Sequence, residues 1–82
     1  MIREVQHKVL ENINRVLHLR ESSILIGDDL RIIGLDSIKT VVLIVELEES
    51  FDITFDDDEL LFENFNVPDK IINLIIKKVG AK

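Results

Sequence analysis

The chain has 82 residues, of which 46 % are hydrophobic; it has no cysteine and a formal net charge of −6. That length suits one small domain spanning 1–82, and 32 Ile, Leu and Val residues supply the apolar surface a disordered chain lacks. Without cysteine there is no disulfide framework, thiolate metal site or thiol nucleophile. The charge is unevenly spread: residues 36–66 hold ten acids against one base, Lys39. Such a field repels phosphate backbones and anionic lipid, which argues against nucleic-acid and membrane partners and favours basic protein surfaces. No apolar run approaches the roughly 20 residues needed to span a bilayer, and no signal-peptide pattern opens the chain. A cytoplasmic, monomeric protein is expected.

Taken in order, Ile2, Val5, Val9, Ile13, Val16 and Leu17 recur at three- and four-residue steps and predict an amphipathic first helix. His7, Glu11, Arg15 and His18 mark its polar stripe, with Glu11 and Arg15 spaced for an i,i+4 ion pair. Residues 20–36 contain Ser22-Ser23, Gly27 and Gly34 and read as a long loop, but Ile24, Leu25, Ile26, Leu30, Ile32, Ile33 and Leu35 give it an apolar side that should pack along the bundle. Residues 37–51 are rich in β-branched side chains, as a strand would be, yet their apolar pattern runs too long for one. With Asp36 placed to cap it, this segment is read as a helix. A turn follows over 52–55. Asp56-Asp57-Asp58-Glu59 then opens a short helix through Leu60 and Leu61, and Pro68 begins a last helix ending at Lys77, Lys78 and Gly80. The expected fold is all-α: a small four-helix bundle of three main helices and one short helix, with a long loop between the first two.

Catalytic equipment is scarce. His7 and His18 are 11 residues apart, about 16 Å along a helix, and cannot share a metal ion. No Gly-rich phosphate loop or nucleophile-elbow serine occurs. The run Asp56–Glu59 lacks the alternating ligands and central glycine of a calcium loop, so no metal site is expected. One motif stands out, Gly34-Leu35-Asp36-Ser37-Ile38. There Gly34 permits a tight turn, Asp36 caps a helix, and Ser37 sits at the first helical position, where unpaired N–H groups and the helix dipole favour an anion.

The same five residues at mid-chain resemble the Asp-Ser-Leu/Ile signature of the acyl carrier protein family. The resemblance covers nearly the whole chain: a first helix, a long loop with Asp29-Leu30, the serine at the head of an acidic second helix, and Leu47-Glu48-Glu49-Ser50-Phe51 at its end. It implies a bundle that catalyses nothing itself. A phosphopantetheinyl transferase would attach 4′-phosphopantetheine from coenzyme A to Ser37, with Asp36 and Gly34 shaping the attachment site. The arm's thiol would then hold acyl or aminoacyl cargo as a thioester. Partners would be loading and synthase enzymes of fatty-acid, polyketide or nonribosomal-peptide type biosynthesis. Carriers of bacterial fatty-acid synthesis commonly have acids at the positions of Lys39 and Val42, so a specialised pathway is the better match. The alternative is an unmodified acidic helical interaction module.

On a helical wheel, Thr40, Leu43, Leu47 and Phe51 form one face of the second helix and Ile38, Val42 and Val45 another. The first set is the expected core. The second, with Leu35 beside it and Asp36, Glu48 and Glu49 as a charged rim, is the expected docking surface for partner enzymes.

Overall fold

The computed structural model describes residues 2–19 and 24–80. Residues 20–23, the opening of the expected loop, and the side chain of Ile2 lie outside the described residues. Four α-helices and no strands occur among those described: α1 (Ile2–Leu17), α2 (Leu30–Ile33), α3 (Ser37–Phe51) and α4 (Pro68–Gly80). None is long and apolar enough to cross a membrane.

The helix α1 is the hub, packing against both α3 and α4. Its stripe Val5, Val9, Ile13 and Val16 is buried against Leu43 and Leu47 of α3 and Ile71, Ile72 and Ile75 of α4. Two polar ties fix its register on α3. Buried Asn12 donates from Nδ2 to the Lys8 carbonyl (2.8 Å), while its Oδ1 accepts from the Ser50 hydroxyl (3.2 Å). Arg15 reaches Glu46 across the interface (Nη1 to Oε1, 3.0 Å) rather than the expected Glu11, which instead lies 3.9 Å from His7. The Glu46 side chain is 34 % exposed against 59 % for Glu11, so the bond across the interface is the better shielded from solvent.

The segment before α3 is less of a loop than expected. Asp28 and Leu25 close a reciprocal turn, and Asp29 caps the one-turn helix α2 by accepting from the Arg31 N–H (3.0 Å). Two backbone bonds strap this segment to the start of α4: Leu30 N–H to the Asn66 carbonyl and Asp69 N–H to the Ile26 carbonyl, both 2.8 Å. Ile24, Leu30 and Leu35 are buried beneath it, whereas Leu25, Ile26 and Ile32 are exposed.

After α3 the chain turns through Asp52 in the left-handed region (φ 55°), a conformation aspartate tolerates better than most residues. The short acidic helix expected at 56–61 is instead two 3₁₀ turns, Asp57–Glu59 and Phe62–Asn64. A reciprocal capping box between Asp56 and Glu59 closes the first turn after three residues. Leu60 and Leu61 then find no core to face and are exposed. The segments on either side are anchored by Phe55 and Phe65, both buried, whose rings meet edge to face with centroids 5.2 Å apart. Pro68 occupies the first position of α4, where its missing N–H costs nothing.

Candidate functional site

The motif of residues 34–38 folds as a hinge between two helices. Gly34 ends α2 at φ 125°, a backbone that side-chain-bearing residues rarely adopt, and its N–H bonds back to the Arg31 carbonyl. The next residue, Leu35, donates its N–H to the Leu30 carbonyl (2.9 Å) and is buried in the core. It therefore cannot serve as the partner-binding residue expected from sequence. The turn after Gly34 points it inward, so it anchors the segment that presents Asp36 and Ser37.

Asp36 is exposed and extended, and its carboxylate accepts the Lys39 N–H (2.8 Å). Its carbonyl accepts both the N–H and the hydroxyl of Thr40 (2.9 and 2.6 Å). The first N–H groups of a helix have no partner within it, and these bonds leave those of Ser37 and Ile38 beside the Ser37 side chain. Ser37 is exposed at the first position of α3, and no hydrogen bond to a described residue engages its hydroxyl. This end can accept a covalently tethered phosphodiester. The hydroxyl is reachable, two backbone donors flank it, and the dipole of a 15-residue helix favours the negative charge. The adjacent carboxylate, Asp36, turns to the Lys39 N–H rather than to this hydroxyl.

The outward face of α3 is apolar. Thr40, Leu43 and Leu47 are buried, while Ile38, Val42 and Val45 lie in solvent, with Ile38 75 % exposed. Val41, 60 % exposed, joins them. The wheel had the information for Val41, since it falls beside Ser37 and away from Leu43. Glu49 is exposed at the edge of this strip. Glu48 does not belong to its rim as expected. It is half-buried, and its Oε2 accepts the Phe55 N–H (2.9 Å), committing the carboxylate to the turn after α3.

Residues 7–75 match the family described as "Phosphopantetheine attachment site". The chain belongs to this family of phosphopantetheine-dependent carrier proteins. Two relatives are D-alanyl carrier proteins of Streptococcus suis, strains 98HAH33 and 05ZYH33. Each is 38 % identical over 79 residues, covering 95 % of this chain and 99 % of the relative. The carrier therefore works with a covalently attached 4′-phosphopantetheine, whose thiol holds cargo as a thioester. It is not itself an enzyme, and carriers of this kind meet a phosphopantetheinyl transferase and cargo-handling enzymes.

Away from the hinge, the carboxylates of Asp56 and Glu59 have structural partners. Lys78 Nζ lies 2.7 Å from Glu59 Oε1 and 3.8 Å from Asp56 Oδ2. That ammonium, with the Asp56 N–H, holds the Glu59 carboxyl below its usual range, and Glu59 in turn raises Lys78. Arg31 lowers Asp29 in the same way through a two-pronged contact.

Proposed function

We propose that Ser37 is the attachment residue and that the chain, acting as one carrier domain in the cytoplasm, carries D-alanine as an aminoacyl thioester. The observation that carries the attachment is the exposed Ser37 hydroxyl at the capped N-terminus of α3, between Asp36 and two unpartnered N–H groups. Near-full-length similarity to the Streptococcus suis D-alanyl carrier proteins supports the cargo. It favours the aminoacyl branch over fatty-acid or polyketide cargo, in line with Lys39 and Val42 where fatty-acid carriers commonly have acids. In this reading Gly34 sets the turn and Asp36 holds the helix end. The strip Ile38, Val41, Val42 and Val45, edged by Asp36 and Glu49, docks the partner enzymes.

Intact mass after incubation with coenzyme A and a broad-specificity phosphopantetheinyl transferase tests the attachment. A gain of one phosphopantetheine is expected, absent in Ser37→Ala; a gain that survives the substitution would place the arm elsewhere. Adding ATP, D-alanine and a D-alanine-activating enzyme should then add one alanyl group that hydroxylamine removes. No gain with D-alanine on the modified carrier would refute the cargo. For the docking strip, Val42→Glu should slow loading of a carrier that still folds, and unchanged loading would remove the strip from the reading.

A further inference from the structure

A surface groove of about 220 Å³ is lined by Asp28, Asp29, Ile32 and Ile33. Ile32, at 85 % exposure, is the most exposed large apolar side chain among the described residues, and Ile33 is half-buried against the core. The two backbone bonds that strap this segment to the start of α4, at Ile26 and Leu30, make the isoleucines a fixed wall rather than part of a loose loop. The polar side of the groove offers one open acceptor. Both Asp29 oxygens are engaged by the Arg31 guanidinium (3.0 and 2.8 Å), and Asp28 Oδ2 accepts the Leu25 N–H (2.9 Å). Asp28 Oδ1 is left without a hydrogen bond to a described residue. A concavity with an apolar wall and one placed polar group suits a small ligand.

The tether decides which ligand. Four residues lead from Ile33 to Ser37, at most about 14 Å of fully extended chain. The bonds from the Gly34 N–H to the Arg31 carbonyl and from the Leu35 N–H to the Leu30 carbonyl fold that stretch back on itself. A 4′-phosphopantetheine arm on Ser37 has a comparable extended length. Beyond its phosphodiester it carries a dimethyl carbon, a hydroxyl and two amides before the thiol. The methyls match Ile32 and Ile33, and the hydroxyl and amide N–H match the open oxygen of Asp28. We propose that this groove is the resting site of the arm, with Ile32 and Ile33 against its dimethyl carbon and Asp28 Oδ1 accepting from its hydroxyl or first amide. The other apolar surface beside Ser37, the α3 strip, is the convex face of a helix and covers a ligand on one side only. An arm seated in the groove leaves that strip free for partner enzymes. The inference rests on the proposed attachment at Ser37 and adds where the arm lies between transfers.

NMR of the isotope-labelled protein, with and without the arm, tests it. Cross-peaks are expected between the two methyls of the arm and the side chains of Ile32 and Ile33, together with shifts of the backbone amide signals of residues 28–33 on modification. Ile32→Ser, at an exposed position, should melt like the parent and lose most of that shift. Val41→Ser, on the α3 strip, should retain it. Cross-peaks to Ile38, Val41 or Val45 in place of Ile32 and Ile33 would seat the arm on the strip. Shifts confined to residues 36–41 would leave it swinging free. Either result overturns the groove and leaves the attachment at Ser37 standing. Peptide mass mapping that finds the arm on another residue would overturn the attachment, and this inference with it.

Discussion

Along α4 the aliphatics Ile71, Ile72 and Ile75 are buried while Asn73 and Lys77 face water; along α3 Leu43 and Leu47 are buried while Ile38, Val41, Val42 and Val45 face water. Both helices are rich in aliphatic residues, but only α4 confines them to the core side. β-Branched residues on a solvent face weaken a helix slightly and leave apolar area wet, so folding gains nothing from them there. The difference separates residues that hold the bundle together from residues that, in the proposed reading, meet another surface. The capped N-terminus of α3, the proposed attachment end, and the apolar strip open to the same solvent.

The largest test of that division is paired. Leu43→Ala, which empties a fully buried site, should cost about 2–5 kcal/mol by denaturant unfolding. Val42→Ala, one residue along, should stay within about 0.5 kcal/mol. Comparable losses at both positions would erase the contrast. The hinge comes next: Gly34→Ala has room for its Cβ but not for φ 125°, and should cost about 1–3 kcal/mol. Asp36→Ala removes the α3 cap and should cost about 0.5–2 kcal/mol in the same assay. Smallest is an acid effect. Because Lys78 depresses the folded Glu59 carboxyl, the pair's stabilisation is full above the ordinary glutamate value of 4.5 and fades as pH falls through the lower folded value. The Tm gap between parent and Lys78→Met should therefore be constant near neutrality and narrow below that value. A gap independent of acid would mean that Lys78 acts through packing on Phe55 alone.

Much of this architecture is legible in the residues. The stripe of α1, the cap at Asp36 and the proline at the start of α4 are local signals, and each element forms where its signal lies. Helix α3 is ambiguous in sequence because β-branched residues fit either geometry, and the length of its apolar run with Asp36 as the cap decides for a helix. What sequence missed depends on contacts between distant residues. Leu35 turns inward because α2 forms before it, and Glu48 is taken up by an N–H seven residues on. The stretch 56–61 has helix-starting chemistry, but its capping box closes the turn on itself, which exposes Leu60 and Leu61. At the candidate site, Ser37 and its cap could be read directly, while the extent of the apolar face required knowing which side the core takes.

The position of α1 between α3 and α4 also bears on how the protein is made. On a ribosome α1 emerges first and α4 last, so the first helix waits with one side uncovered until the final turns are synthesised. Local helices form in microseconds, but burial of Val9 and Ile13 against Ile71 and Ile75 closes a long stretch of chain. Completion of the bundle is therefore a late, all-or-none event. A nascent chain lacking α4 can display Ser37 without offering a finished carrier.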